Sequence, residues 1–261
     1  MSAKSAFSCR DLTVTVPGRR LVEGLQMHVD AGDFLAVLGQ NGAGKSLTLL
    51  TLAGLRGFDQ GEVFLLGESL ASRRRQDVAK NLALLPQYTE DVFPTTVLDT
   101  ALIGRHPHIG QLQWESGDDR KIAHKALQQM DLGSMHDRDV ATLSGGERRR
   151  LAIAQTLTQT PAVYLLDEPT NHLDPQHQLD VLRVFQKQAE SGAAIIASLH
   201  DVNLAARYAD QCLLLFGDGR WQLGPTDSVL SEERLTELYA TPMEAIEWRE
   251  TRLFVAAENS R

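Results

Sequence analysis

The chain has 261 residues, of which 43% are hydrophobic and 23% charged, and its formal net charge is −8. This length and composition are typical of a globular protein with one large domain, or with a core and a sub-domain. The apolar runs are too short to cross a bilayer, and the first residues lack the apolar segment of a secretory signal. Two distant cysteines, Cys9 and Cys212, give no disulfide framework and no metal-finger spacing, so we expect a cytoplasmic protein. The acidic balance argues against a nucleic-acid partner.

Three strands are predicted at the start of the chain. Residues 7–16 and 21–29 alternate apolar and polar side chains around the Pro17-Gly18 turn, which predicts an antiparallel pair. Residues 34–38 form an unbroken apolar run, and this pattern is typical of a strand buried on both faces.

A phosphate-binding loop follows the third strand, because the next eight residues match the pattern G-x-x-x-x-G-K-[ST]. They are Gly39, Gln40, Asn41, Gly42, Ala43, Gly44, Lys45 and Ser46. A helix is predicted over residues 47–53, with Gly54 to end it. The glycines let backbone N–H groups converge on a polyphosphate at the helix N-terminus. We expect Lys45 to neutralise the β- and γ-phosphates and Ser46 to offer an oxygen to Mg²⁺.

A second apolar strand, residues 163–166, ends in the acidic pair Asp167-Glu168. A carboxylate at a strand end beside a phosphate loop is the usual partner of nucleotide-bound Mg²⁺, commonly through a water, so we assign Asp167 to the metal. Glu168 is placed to take a proton from the water that attacks the γ-phosphorus, or to polarise that water.

Two more strands end in polar residues at positions where ligands of open α/β sheets collect. Residues 82–85 lead to Gln87, which we expect to ligate Mg²⁺ and to orient the attacking water. Residues 193–199 lead to His200, which is suited to bond the γ-phosphate and to hold Glu168 and the water in place.

The pattern turns helical between residues 95 and 160, with helices predicted near 121–130 and 146–157, which indicates an inserted helical sub-domain. His106 and His108 flank Pro107 in a loop of this span. No third ligand stands near them at metal-binding spacing, so a structural role is favoured over a metal pair.

The pentad Leu143-Ser144-Gly145-Gly146-Glu147 opens the second of these helices. Ser144 is a good N-cap, and the helix N-terminus favours an anion. A cap explains Ser144 only, whereas a second phosphate contact, made by Ser144, Gly145, Gly146 and Glu147 together, explains the whole pentad better. Beyond it, helices are predicted at 202–208 and 232–239, a strand at 212–216 and a small hairpin within 246–255.

Taken in order, these motifs resemble the ATP-binding cassette family, the nucleotide-binding subunits of ABC transporters, over about residues 7–239. The matching segments are residues 39–46 (Walker A), Gln87 (Q-loop), 143–147 (signature), 163–168 (Walker B), Leu173-Asp174 (D-loop) and His200 (H-loop).

The resemblance implies an α/β fold: a P-loop NTPase (RecA-like) core with an antiparallel β sub-domain and an inserted helical sub-domain. It places the core at about 1–90 and 160–225, the helical sub-domain at 91–159 and a small C-terminal extension at 226–261. It also implies ATP and Mg²⁺ as cofactors and a head-to-tail dimer. In that dimer Ser144 and Gly146 of one copy contact the γ-phosphate held by Lys45 of the other, and Asp174 belongs to the nucleotide site.

Two positions depart from the family pattern. Val16 stands where an aromatic residue commonly stacks on adenine, and Leu47 stands where a second hydroxyl often follows the Walker serine. The backbone N–H of Leu47 remains, so we expect phosphate binding to survive with a loss on the order of 1 kcal/mol. Neither departure touches the catalytic or metal positions, so we expect an active ATPase.

A cassette without membrane spans resembles a bacterial importer subunit held at the cytoplasmic face of the inner membrane. The resemblance implies two transmembrane permease subunits, gripped near residues 87–96, and a periplasmic substrate-binding protein. Residues 103–108 and 199–208 are similar to the subgroup that imports metal chelates, and residues 97–119 favour vitamin B12 within it. The alternatives are an iron-siderophore or haem importer and, more remotely, a soluble ABC ATPase that acts on ribosomes or DNA. A regulatory cassette without activity and a partner of exporter subunits also stay open.

Overall fold

The structure is a computed structural model that describes residues 5–88, 94–110, 113–249 and 251–257. The strands are β1 (Ser5–Val16), β2 (Arg19–Asp30), β3 (Phe34–Leu38), β4 (Gln60–Leu65), β5 (Glu68–Ser69), β6 (Leu82–Leu85), β7 (Val163–Asp167), β8 (Ala194–Ser198), β9 (Gln211–Leu215), β10 (Trp221–Pro225), β11 (Met243–Trp248) and β12 (Thr251–Ala256). The α-helices are α1 (Lys45–Leu52), α2 (Arg75–Asn81), α3 (Val97–Leu102), α4 (Gly117–Gln129), α5 (Gly145–Thr158), α6 (Pro175–Glu190), α7 (Val202–Tyr208), α8 (Thr226–Val229) and α9 (Glu232–Tyr239).

The central sheet has six strands in the order β10-β9-β3-β8-β7-β6, and all except β10 run parallel. Its three middle strands, β3, β8 and β7, are buried along their whole length. Successive side chains point to opposite faces: Leu35 and Val37 join one apolar cluster, while Phe34 and Ala36 join another. Because both faces are covered, these strands are continuous apolar runs in the sequence.

A second, antiparallel sheet in the order β2-β1-β4-β5 covers one face of the central sheet. Helix α1 contributes Leu49 and Leu52 to the same apolar cluster, together with Phe7 and Leu25, and all four side chains are fully buried. Burial of each such side chain stabilises the fold by about 2 kcal/mol. The helix that follows the phosphate loop is therefore anchored by packing.

Helices α3, α4 and α5 pack on each other and add their apolar side chains to the cluster on the other face of the sheet. Helix α6 covers that face too, through Val181, Leu182 and Phe185. The sequence prediction assigns no helix there, although an N-cap at Asp174 and a proline at the first helical position mark its start. Its apolar residues recur at i, i+1 and i+4, which is the helical period that the prediction missed.

Most predicted elements are present in the structure. Helices α7 and α9 have the predicted bounds, and the hairpin β11–β12 contains the predicted alternating stretch. Helix α1 begins at Lys45, two residues earlier than predicted. The division of the chain near residues 90, 160 and 225 stays a prediction. Within the described ranges, none of the helices combines the length and apolar character that a bilayer crossing requires.

Candidate functional site

Four parallel strands, β3, β6, β7 and β8, end at one edge of the central sheet. The residues that follow them are Gly39, Pro86-Gln87, Glu168 and Leu199-His200. The sheet therefore brings together the four segments that the sequence prediction assigns to one site. This edge is where ligands of open α/β sheets bind.

The phosphate loop depends on its glycines at three points. Gly42 and Gly44 have φ angles of +79° and +101°, which side chains rarely adopt. A Cβ on Gly39 would lie 2.6 Å from the carbonyl oxygen of Leu215, so the close approach of the two backbones leaves no room for a side chain. These constraints hold the loop in the turn that leads into α1.

Lys45 is the first residue of α1, and its side chain lies in the phosphate loop. Its Nζ donates to the carbonyl oxygen of Gly39 at 2.8 Å and to that of Gln40 at 3.3 Å. Burial lowers the pKa of this ammonium, while the negative charges of Glu168 and Asp167 oppose the shift. The loop thus presents a buried cation beside two buried carboxylates.

A cleft of about 350 Å³ opens over this loop. It is lined by Val16, Arg19, Leu21, Asn41, Gly42, Gly44, Lys45, Ser46, Leu47, Gln87 and Glu168. Five of the eight predicted loop residues are in this lining, whereas Gly39, Gln40 and Ala43 are not, and the predicted adenine position, Val16, lies in the same cleft. Arg19 and Leu21 were not predicted, and Arg19 Nε donates to the carbonyl oxygen of Gly217 at 2.6 Å.

The carboxylate of Glu168 is the centre of a hydrogen-bond network. Its Oε2 accepts from Gln87 Nε2 at 2.7 Å and from Asn171 Nδ2 at 2.9 Å, and its Oε1 lies 2.5 Å from His200 Nε2. The Glu168 side chain is 6% exposed, whereas that of His200 is 46% exposed. Three side chains from three segments therefore fix the orientation of one buried carboxylate.

The backbone at this carboxylate is held by Ser198 of the neighbouring strand β8. Its Oγ donates to Asp167 Oδ1 at 2.7 Å and accepts from the N–H of Glu168 at 2.9 Å. Glu168 has a φ of +48°, in the left-handed region, which costs a residue other than glycine about 1–2 kcal/mol. The hydrogen bonds offset this strain, and they direct the Glu168 side chain into the cleft.

The oxygen donors at this edge suit a hard cation such as Mg²⁺. They are the hydroxyl of Ser46, the amide oxygen of Gln87, whose nitrogen already bonds Glu168, and Asp167 Oδ2, because Ser198 bonds Oδ1. Among the described residues, no group of three or more His, Cys, Asp or Glu side chains could hold a metal. One carboxylate with neutral oxygens leaves coordination positions for phosphate oxygens and water, as is usual for Mg²⁺.

Arg149 is a further residue at this site that the sequence prediction missed. It lies on α5, is 6% exposed, and donates through Nη1 and Nη2 to backbone carbonyls where β6 and β7 end. Burial lowers its pKa to about 10, and the charges of Asp167 and Glu168 oppose this shift. Nothing in the run Arg148-Arg149-Arg150 marks the middle residue as buried.

The signature residues lie outside the cleft of their own chain. Ser144 caps α5 by accepting from the N–H of Glu147 at 3.3 Å, and its own N–H donates to Glu147 Oε2 at 2.7 Å. Ser144 and Gly145 are exposed, and none of the four residues from Ser144 to Glu147, including Gly146, is among the cleft-lining residues. The structure thus shows an exposed, well-capped helix N-terminus there.

Two other predicted positions also have local partners. Asp174 caps α6 by accepting from the N–H of His177 at 2.9 Å, it lies 2.7 Å from His177 Nδ1, and these bonds lower the pKa of its carboxyl. His108 Nε2 donates to the carbonyl oxygen of Gln159 at 2.9 Å. The nucleotide role of Asp174 stays a prediction.

Comparison with known proteins identifies the family. The family model described as ABC transporter matches residues 22–171. The chain is 45% identical over 221 residues to the hemin import ATP-binding protein HmuV of Deinococcus radiodurans, which covers 82% of this chain and 83% of the relative. It is 35% identical to the achromobactin transport ATP-binding protein CbrD of Dickeya dadantii (87% and 85% covered) and 35% identical to the petrobactin import ATP-binding protein FpuC of Bacillus anthracis (92% and 89% covered).

Solved structures agree with the relatives. One, described as an inward-facing conformation of a putative metal-chelate type ABC transporter, superposes with a TM-score of 0.84 at 29% identity and covers 98% of both chains. Another, the ADP conformation of an ATP-binding cassette of an ABC transporter, has a TM-score of 0.78 at 21% identity, covers 90% of this chain and 98% of the other, and shows the fold. The α/β fold class with a P-loop NTPase core is confirmed. The chain belongs to the ABC transporter family, in which it is an ATP-binding ATPase subunit.

Proposed function

We propose that the chain is the ATP-hydrolysing subunit of a bacterial importer for a metal chelate, and that Glu168 activates the attacking water. The observation that carries this proposal is the Glu168 carboxylate, which lies at the phosphate cleft with Gln87, Asn171 and His200 as its hydrogen-bond partners. A buried carboxylate that is held at a triphosphate site can accept a proton from water in the transition state.

The other residues of the cleft bind and orient the substrate. The N–H groups of the phosphate loop and Lys45 hold the β- and γ-phosphates, because this is the only buried ammonium among the residues that line the cleft. Ser46, Gln87 and Asp167 would hold Mg²⁺, and the ion would supply positive charge beside the phosphate oxygens. His200, which is bonded to Glu168 and half exposed, donates to the γ-phosphate and keeps the carboxylate aimed at the water.

Gln87 connects this chemistry to the membrane subunits. Its side chain bonds Glu168, and the next residue, Tyr88, has 71% of its surface exposed. Residues 89–93, part of the segment predicted to grip a permease helix, lie outside the described residues. ATP then acts as a ligand that shifts the equilibrium between open and closed cassettes, and the permease follows that shift. The subunit is peripheral, at the cytoplasmic face of the inner membrane.

A second copy of the chain completes the site. The helix N-terminus at Ser144 is exposed and lies outside the cleft of its own chain. Ser144 caps the helix, and the partial positive charge of a helix N-terminus favours an anion. A head-to-tail dimer brings this corner to the γ-phosphate that Lys45 of the other copy holds. Two permease subunits and a periplasmic binding protein complete the transporter.

The cargo we propose is hemin or an iron siderophore. The sequence prediction favours vitamin B12, but the relatives reported above carry hemin, achromobactin and petrobactin in their names, so they support the alternative better. The cassette does not contact the cargo, and its ancestry is the only link to it. Hemin is placed first because the relative with 45% identity is named for it.

Replacement of Glu168 by Gln tests the catalytic role. The variant keeps the shape of the side chain but cannot accept a proton, so we expect ATP binding near the parent level and hydrolysis reduced about 100- to 1000-fold. Phosphate release and binding of a fluorescent ATP analogue are measured on the full chain. Glu190→Gln, at the exposed end of α6, is the matched control. Hydrolysis at the parent rate in the Glu168 variant would refute the assignment.

A transport assay tests the cargo. The chain is reconstituted in vesicles with the permease subunits encoded beside its gene, and ATPase stimulation is measured with their binding protein loaded with hemin, a ferric siderophore or cyanocobalamin. We expect stimulation with hemin or the siderophore. Stimulation by cyanocobalamin only would restore the vitamin B12 prediction.

A further inference from the structure

Arg149 joins two segments of the site through the backbone. Its Nη1 donates to the carbonyl oxygens of Pro86 at 2.7 Å and Gln87 at 3.2 Å. Its Nη2 donates to those of Asp167 at 2.6 Å and Glu168 at 2.7 Å. One buried side chain therefore connects the two residues that follow β6 with the last residue of β7 and the residue after it.

These bonds begin where the pairing of the two strands stops. Strands β6 and β7 are paired from Leu82 with Val163 to Leu85 with Leu166. In the next two residues of each segment, all four carbonyl oxygens accept from the Arg149 guanidinium. The planar guanidinium of Arg149 thus connects the two segments beyond the last paired residues of the strands. This connection extends to Gln87 and Glu168, whose side chains are hydrogen-bonded to each other.

The charge of Arg149 also matters at this point. Burying an unpaired cation is costly, and here four carbonyl dipoles and the two nearby carboxylates, Asp167 and Glu168, offset that cost. The Nε of Arg149 is buried without a hydrogen-bond partner among the described residues, so its hydrogen bonds are made by Nη1 and Nη2. Lysine has one ammonium on a flexible stem, and it cannot reproduce this planar bidentate arrangement.

Helix α5 carries both the Arg149 guanidinium and, at its N-terminus, the signature residues Ser144 to Glu147. Ser144 caps the helix, and Arg149 is five residues further along, about 7.5 Å along the axis. About one and a half turns of the same helix therefore join the Ser144 cap to the guanidinium that bonds the backbone of Gln87 and Glu168.

We propose that Arg149 is a positioning residue for ATP hydrolysis: it sets the backbone from which Gln87 and Glu168 reach each other, and so makes the aim of the Glu168 carboxylate depend on the position of α5. This proposal rests on the function proposed above, in which Glu168 activates water. Arg149 itself is not among the residues that line the cleft.

The test uses the full chain with Arg149→Lys and, as a second variant, Arg149→Gln. We expect kcat to fall about 10- to 100-fold, since small misplacements of catalytic groups have effects of this size, while the affinity for a fluorescent ATP analogue changes less than about 3-fold. Expressing kcat per titrated nucleotide site removes any loss of folded protein from the comparison. Arg150→Lys is the matched control, because this neighbouring guanidinium is also mostly buried and bonds the Met130 carbonyl oxygen, away from the cleft.

A double-mutant cycle separates positioning from simple structural support. If Arg149 acts through Glu168, then Arg149→Lys combined with Glu168→Gln hydrolyses ATP as slowly as Glu168→Gln, within about 2-fold in a single-turnover assay. A further 10-fold loss in the double variant would overturn the proposal, and so would a parent kcat in both Arg149 variants. Parent-rate hydrolysis by Glu168→Gln would instead refute the proposed function, so the two failures are distinguishable.

Discussion

The two halves of the proposed composite site are built in opposite ways. The half around Lys45 and Glu168 is buried, and its side chains and backbone bond one another within the chain. The half at Ser144 is exposed, and Ser144 forms its capping hydrogen bonds with Glu147 of the same helix end. The residues of the first half are positioned by the strands of the central sheet. The conformation of the second half is fixed by the N-cap of α5.

This difference shows which parts of the reaction one chain can perform. The buried half has what nucleotide binding requires: a cation, a helix N-terminus at the phosphate loop and a fixed carboxylate. In the proposed dimer, the exposed half adds donors for the γ-phosphate that the other copy holds. Binding should therefore be a property of the single chain, and rapid hydrolysis a property of the pair.

The largest effect is expected from Lys45→Ala. It removes the buried ammonium from the phosphate loop, so we expect ATP affinity to fall at least about 100-fold and hydrolysis to fall below about one-thousandth of the parent. Titration with a fluorescent ATP analogue and a phosphate-release assay measure the two losses. Parent-like affinity would show that the Lys45 ammonium is not a phosphate ligand.

A second, smaller effect is expected from Ser144→Arg, which places a long charged side chain at the exposed corner. We expect a single chain to keep its ATP affinity, and hydrolysis to fall about 100-fold because the paired state is blocked. The lost cap costs about 1 kcal/mol, which corresponds to a fall in Tm of about 3 °C.

Mixing the two variants tests whether the halves come from different copies. Half of the random dimers contain one chain of each kind, and each of these has one intact site, so about a quarter of the parent activity should return. Activity that is independent of protein concentration, with no gain on mixing, would mean that each chain has a complete site.

Much of the buried half could be predicted from sequence, because its motifs are contiguous. Gly39–Ser46 is one uninterrupted segment, and Glu168 directly follows an apolar strand. Ser198 and Arg149 could not be found in this way. Ser198 acts on Asp167 only because β7 and β8 pair in one register, and Arg149 acts only because α5 crosses beneath two strand ends. Such contacts depend on the tertiary arrangement, which local patterns do not specify.

Ser198→Ala should have an intermediate effect. It leaves the buried N–H of Glu168 and one oxygen of Asp167 without their partner, which costs about 1–3 kcal/mol of unfolding free energy. We also expect kcat to fall about 10-fold, because the strained backbone of Glu168 loses a support. Thermal unfolding and kcat are compared with those of Ser191→Ala, an exposed serine after α6. If the two variants have the same Tm and the same kcat, Ser198 does not support the catalytic site.

The smallest effect concerns pH and the exposed half. Hydrogen bonds from the N–H and hydroxyl of Ser144 hold the pKa of Glu147 below its ordinary value of 4.5. Because the folded pKa is the lower one, the stabilisation is complete above about pH 4.5 and is lost as the pH falls through the folded pKa. Glu147→Gln can still cap the helix but does not titrate, so its Tm should fall less steeply than that of the parent in this window. The difference should shrink as salt is added, since salt screens the charge of the Glu147 carboxylate. Parallel Tm curves for the two proteins would mean that the Glu147 carboxylate does not stabilise the corner, and that the serine hydroxyl caps the helix unaided.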